Sequence, residues 1–191
     1  MPVHVALLRS VNTGKRKVLK EDLLGVAQDK GFPAAKTYLA SGNLLLWGED
    51  PGGPALEARL EDALAGRIGL RTDFMIRSPA ELSAIVAANP FQSEALDHPS
   101  HVLVTFMKTP LPAGDEDILR AAITGPERFA ARGRELYIDM PISMADSVLD
   151  RDWKKSKRDA GRDGPQLEHR PEAPRNGSGL AARRSGNGPR R

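Results

Sequence analysis

The sequence predicts an α+β fold of two ferredoxin-like or split-βαβ units, with mostly antiparallel sheets and helices on one face. Three observations carry this. Short apolar runs alternate with stretches of helical periodicity. Two pairs of runs are joined through short glycine-containing turns and read as hairpins. The order β-α-β-β-α-β up to residue 78 is followed by a further helix, and a similar order begins again after residue 100.

Val3–Arg9 is an apolar run and reads as a buried strand, and Ser10–Lys17 as a loop. Leu19, Leu23, Leu24, Val26 and Ala27 recur at helical spacing, and Gly31 with Pro33 closes that helix. Lys36–Leu39 and Leu44–Trp47 form a hairpin, with Gly42 able to supply the positive φ of its turn. Apolar positions 55, 56, 60, 63, 64 and 68 mark an amphipathic helix ending in Gly69. Thr72–Ser78 is a strand, after which Ser78 caps a helix with Pro79 at its first position. Pro90–Ser100 reads as a linker. His101–Met107 opens the second unit as a strand, followed by a helix with acids at 115–117 in its first turn. Residues 127–132 and 135–141 form a second hairpin around Gly133, and a last helix starts near Ser143. The expected division is therefore 1–90 for the N-terminal βαββαβ unit plus helix and 101–160 for the second α/β unit. Residues 161–191 are expected to form a disordered tail, because they carry no strand or helical pattern.

Composition narrows the function classes. The chain has no cysteine, which excludes disulfides, thiolate zinc sites and a cysteine nucleophile and fits a cytoplasmic location. The N-terminus lacks a basic segment followed by an apolar one, so it does not read as a signal peptide. No apolar run approaches the ~20 residues that span a bilayer, so no membrane partner is expected. Net charge is +3 over the 191 residues, but it is unevenly placed. From residue 151 onward 12 basic residues face 5 acidic ones, or +7, which leaves 16 against 20, or −4, for residues 1–150. The body is acidic, so a nucleic-acid reading drawn from overall charge rests on the tail.

Leu8-Arg9, Asn12, Gly14, Lys17, Gly31-Phe32, Thr37-Tyr38 and Ser41-Gly42-Asn43 stand in the order found at the start of the domain of unknown function 1697 family. Ile76–Phe91 and Gly133–Pro141 also resemble later family segments. The resemblance covers roughly residues 3 to 160 and departs at Ser10 and Thr13, where the family usually has Gly and Val. It implies a bacterial protein with no assigned activity; no cofactor is expected. The family usually ends in a helix containing Thr-Ala-Arg-Asn-Trp-Asn-Thr-Val-x-Lys-Leu, which this chain lacks. Codons for Asp163–Ala173, read one nucleotide later, can spell Thr-Ala-Arg-Asn-Trp-Asn-Thr-Val-Arg-Lys-Leu. The tail from about Asp163 is therefore expected to be an out-of-frame translation, and its basic charge to say little about partners.

A candidate site follows from topology. In a split βαβ unit the end of the first strand and the turn of the hairpin share one sheet edge. Arg9, Asn12, Lys15 and Lys17 should then lie near Ser41 and Asn43. A guanidinium, ammonium groups, amides and a hydroxyl at one edge could hold a phosphate or carboxylate. The plainer explanation is that the Asn and Gly residues serve turns and the lysines are solvated. Neither a P-loop nor a Gly-x-Ser-x-Gly elbow occurs, and Asp97, His98 and His101 make only a weak metal pattern. Trp153 among Lys154, Lys155 and Arg158 could stack on a base, but a core tryptophan with solvated cations is the simpler reading. The sequence thus leaves three functions open: a small-molecule or anion-binding module, a nucleic-acid-binding protein, and an enzyme of unknown class.

Overall fold

The computed structural model describes residues 2–9, 17–38, 42–142, 146–149 and 151–153. The first sheet contains β1 (Val3–Leu8), β2 (Lys36–Tyr38), β3 (Asn43–Trp47) and β4 (Phe74–Arg77), in the order β2-β3-β1-β4. Every neighbouring pair is antiparallel, so β1 and β2 run parallel with β3 between them. This is a split βαβ, and the antiparallel α+β architecture is the one expected.

Helices α1 (Lys20–Asp29) and α2 (Gly53–Ile68) cover one face of this sheet. Ala6 and Leu8 of β1, Leu44 and Leu46 of β3, and Phe74 and Ile76 of β4 point into it. They meet Leu23, Val26 and Ala27 of α1 and Leu56, Leu60 and Leu64 of α2. The three α2 leucines lie one turn apart on a single stripe, which is why this helix forms against the sheet rather than beside it. Gly69 ends α2 at φ +69°, a conformation that costs a side-chain-bearing residue about 1 kcal/mol or more.

Helix α3 (Pro79–Ala87) begins with the predicted Ser78 cap. The Ser78 hydroxyl accepts from Glu81 N at 3.1 Å and the Glu81 carboxylate accepts from Ser78 N at 2.7 Å. Those bonds, the backbone one foremost, hold the Glu81 carboxyl below its ordinary range. The stretch expected to be a linker contains a short helix instead, α4 (Gln92–Asp97). Phe91 is buried in front of it, with the Arg128 guanidinium over its ring at 5.2 Å, and Arg128 also pairs with Glu94. Tertiary anchoring overrides a weak local preference here.

The second sheet has three strands, β5 (Val102–Phe106), β6 (Arg128–Arg132) and β7 (Glu135–Asp139), in the order β5-β7-β6. Helix α5 (Asp115–Ala122) connects β5 to β6, so β5-α5-β6 with β7 inserted is again a split βαβ. Gly133 makes the β6–β7 turn at φ +57°. Leu136 and Ile138 face a core that includes Leu119, Leu149 and Trp153. Residues 149 and 151–153 are helical, in line with the expected last helix, while its start near Ser143 lies outside the described residues. Glu135 and Tyr137 of β7 face the first sheet and α3, Glu135 pairing with Arg77 of β4 and the Tyr137 hydroxyl donating to Ile85 O of α3 at 2.7 Å.

Candidate functional site

The strand registers place one end of the first sheet where β1 stops, β2 stops, and β3 and β4 begin. Tyr38 is opposite Asn43, and Leu8 is opposite Phe74. The Asn43 side-chain oxygen accepts from Leu8 N at 3.4 Å, which ties the start of β3 to the end of β1. Arg9 N donates to Asp73 O at 3.1 Å, and Arg9 Nη1 donates to Asp73 Oδ2 at 2.7 Å. Thr72 Oγ1 closes the corner by donating to Arg9 O at 2.5 Å. Three of the predicted site residues fall among the described residues: Arg9 follows the end of β1, Asn43 begins the neighbouring β3, and Lys17 is exposed just ahead of α1. Asn12, Lys15 and Ser41 lie outside the described residues.

Asp73 is the partner that sequence reasoning did not assign to Arg9. Nothing in the pattern of β4 marks it; only the β1–β4 register brings it opposite Arg9. The pair is half open, with Arg9 25% and Asp73 38% exposed. Ion pairs this open contribute ~0–1 kcal/mol. Asn43 differs, because it is buried and serves a backbone N–H, so its removal costs ~1–3 kcal/mol.

The other candidates resolve differently. Trp153 is buried in the second core, so it packs rather than stacks on a base. His98 and His101 stack on each other with ring centroids 4.9 Å apart. Among the described residues no group of three His, Asp or Glu is placed to hold a metal ion. No described helix is long and apolar enough to cross a membrane.

A cluster of charges that the sequence did not reveal lies along β4. Glu57 and Glu61, one turn apart on α2, accept from Ile76 N and Phe74 N, each at 2.9 Å. Lys108, just after β5, reaches both carboxylates, at 2.8 Å and 2.5 Å. Burial opposes the Lys108 charge, but the hydrogen bonds it donates to Glu57 and Glu61 outweigh it and hold the ammonium above the usual lysine range. Each group here has a structural partner, so this cluster explains how the sheets are joined and offers no vacant chemistry.

The family model described as "Protein of unknown function (DUF1697)" matches residues 1–137. The chain belongs to the DUF1697 family. Among solved structures it is similar to a conserved bacterial protein, SP0830 from Streptococcus pneumoniae, with a TM-score of 0.61 and 16% identity. That likeness covers 85% of this chain and 99% of the other, and at this identity it concerns the fold alone. No curated protein matches. The DUF1697 match spans both the Arg9/Asn43 edge and most of the second sheet.

Proposed function

We propose that this DUF1697 protein is a small-molecule or anion-binding module. Its binding edge is the end of the first sheet that carries Arg9, Asn43 and Lys17. The observation behind this reading is the half-open Arg9–Asp73 pair beside Asn43. A ligand phosphate or carboxylate could replace Asp73 on the Arg9 fork with little loss of stability, because an exposed pair contributes little. Helix α1 opens at the same end, and the side chain of its N-cap, Leu19, makes no capping bond. Its first N–H groups therefore favour negative charge there. We also read the chain as two units, 1–90 and 101–160, and as cytoplasmic, which suits a chain without cysteine.

Inorganic phosphate is the simplest probe. It should raise the melting temperature of the wild-type chain in a saturable way. Arg9→Ala should abolish that rise while leaving the unliganded melting temperature nearly unchanged. Asn43→Ala is a poorer probe, because it removes the bond to Leu8 N and destabilises the sheet directly. No saturable effect in the wild type, or an undiminished one in Arg9→Ala, would overturn the proposal.

A further inference from the structure

The face of the first sheet opposite α1 and α2 is not uniformly covered. On the β4 side Met75 and Arg77 are buried, and Arg77 reaches the second sheet through Glu135. On the β2 side the registers put Lys36 opposite Leu45 and Tyr38 opposite Asn43. Side chains alternate across a strand, so Lys36, Tyr38, Leu45 and Trp47 share this face. Lys36 Nζ lies over the Trp47 ring at 5.9 Å, which places both on that side. Tyr38 is 57% exposed. The open part of the face is therefore a row of aromatic, cation and aromatic, and its Tyr38 end adjoins Asn43 at the proposed anion edge.

An exposed tyrosine alone needs no explanation, since aromatic residues suit edge strands. Its position is the informative point. Tyr38 on β2 is two strand spacings from β1 and three from β4, so its backbone lies roughly 10 Å from the end that carries Arg9 and roughly 14 Å from the β4 side, where Asp73 holds the Arg9 guanidinium. A ligand anion that displaces Asp73 frees the Arg9 side chain to turn toward β3, and a planar ring stacked on Tyr38 and that anion can then belong to one compact molecule. Lys36 beside the ring adds a second positive charge.

Resting on the anion-binding reading above, we infer that the ligand is a free nucleotide, its base stacked on Tyr38 beside Lys36 and its phosphate at Arg9. Stacking on an aromatic side chain contributes ~1–3 kcal/mol per base and tolerates any base. A long nucleic-acid strand fits less well, because residues 1–150 carry a net −4 and would repel an extended polyanion beyond this short row. The aromatic row spans β2 and β3, and which face stays open depends on where the second sheet docks.

The test is calorimetric titration of the full chain with inorganic phosphate and with AMP, GMP, CMP and UMP separately. At least one nucleotide should bind about tenfold or more tightly than phosphate. Tyr38→Ala, at an exposed position outside both cores, should reduce nucleotide affinity to that of phosphate and leave phosphate affinity unchanged. Arg9→Ala should weaken both. Nucleotides that bind no better than phosphate would overturn the nucleotide assignment while the anion reading stood. Failure of phosphate and nucleotides alike would remove both. A ten-nucleotide single strand that binds about a hundredfold tighter than any mononucleotide, with a steep salt dependence, would overturn the free-nucleotide assignment in favour of a strand.

Discussion

Arg77, the last residue of β4, donates from Nε to Glu135 Oε1 at 2.8 Å, and this pair joins the two sheets. The Arg77 side chain is 1% exposed. Its remaining donors reach Ile76 O at 2.9 Å and Met107 O at 3.4 Å, and its guanidinium lies 5.5 Å over the Phe106 ring. Burying this charge is tolerable because the planar fork is satisfied on several sides. Removing one partner strands the other. Arg77→Ala is expected to lower unfolding free energy by about 3–5 kcal/mol in urea at neutral pH. Arg77→Met with Glu135→Leu should recover much of that loss, because apolar replacement of both partners leaves no orphaned charge. A loss below about 1 kcal/mol for Arg77→Ala would show that the pair does not hold the sheets together.

The outer edge of β4 is closed by side chains rather than by another strand. Glu57 and Glu61 accept from its two outward N–H groups, and Lys108 Nζ donates to Phe74 O at 3.2 Å. Charged groups on an edge also keep other strands from adding to it. Glu57 is 1% exposed, whereas Glu61 is more open. Glu57→Ala should therefore cost more than Glu61→Ala, about 2–3 kcal/mol against about 1, since a buried N–H of Ile76 is left without its acceptor. Urea unfolding of the two variants measures the difference. Equal losses would mean that burial does not set the cost at this edge.

Much of this arrangement was legible in the sequence, and the illegible part has a common cause. Apolar runs and turn glycines marked β1 and both hairpins, and Ser78 with Pro79 announced the start of α3. These are local signals. The α4 helix was missed because Phe91 and Glu94 are held by Arg128, 34 residues beyond Glu94 in the chain. The Arg9–Asn43 edge was legible because topology alone puts the end of β1 beside the start of β3. Asp73, Lys108 and the open Tyr38 face were not, because each depends on register or on docking of one sheet against the other. Asn12, Lys15 and Ser41, expected at the edge, lie outside the described residues.

The basic tail also lies outside the described residues, and its test is at the level of DNA. Sequencing the gene across the codons for Asp163–Ala173 should show that a one-nucleotide change of frame there opens a reading of Thr-Ala-Arg-Asn-Trp-Asn-Thr-Val-Arg-Lys-Leu. A shifted frame that stops at once, or spells a different segment, overturns the out-of-frame expectation. A chain expressed from the restored frame should then melt higher than this one, because its segment carries apolar residues able to pack.

Asp152 gives the fold a predictable response to acid. Its carboxylate accepts from Thr124 Oγ1 at 2.7 Å and from Thr124 N at 3.0 Å, tying the final helical segment to the loop after α5. The Thr124 hydroxyl is the leading cause, followed by its N–H and by Arg151, that lowers the Asp152 carboxyl to about 2. A carboxyl depressed in the folded state adds stability above its unfolded value, near 3.8, and that stability fades as pH falls toward 2. Thr124→Val removes the hydroxyl and keeps the N–H, so it should raise the Asp152 value toward the ordinary range. The variant should melt below the wild type at pH 6, and the gap should narrow steadily between pH about 4 and about 2 as Asp152 is protonated in both proteins. Thermal melts followed by circular dichroism across that range measure the gap. A gap that stays constant with pH would mean that the hydroxyl contributes packing alone and does not stabilise the charge.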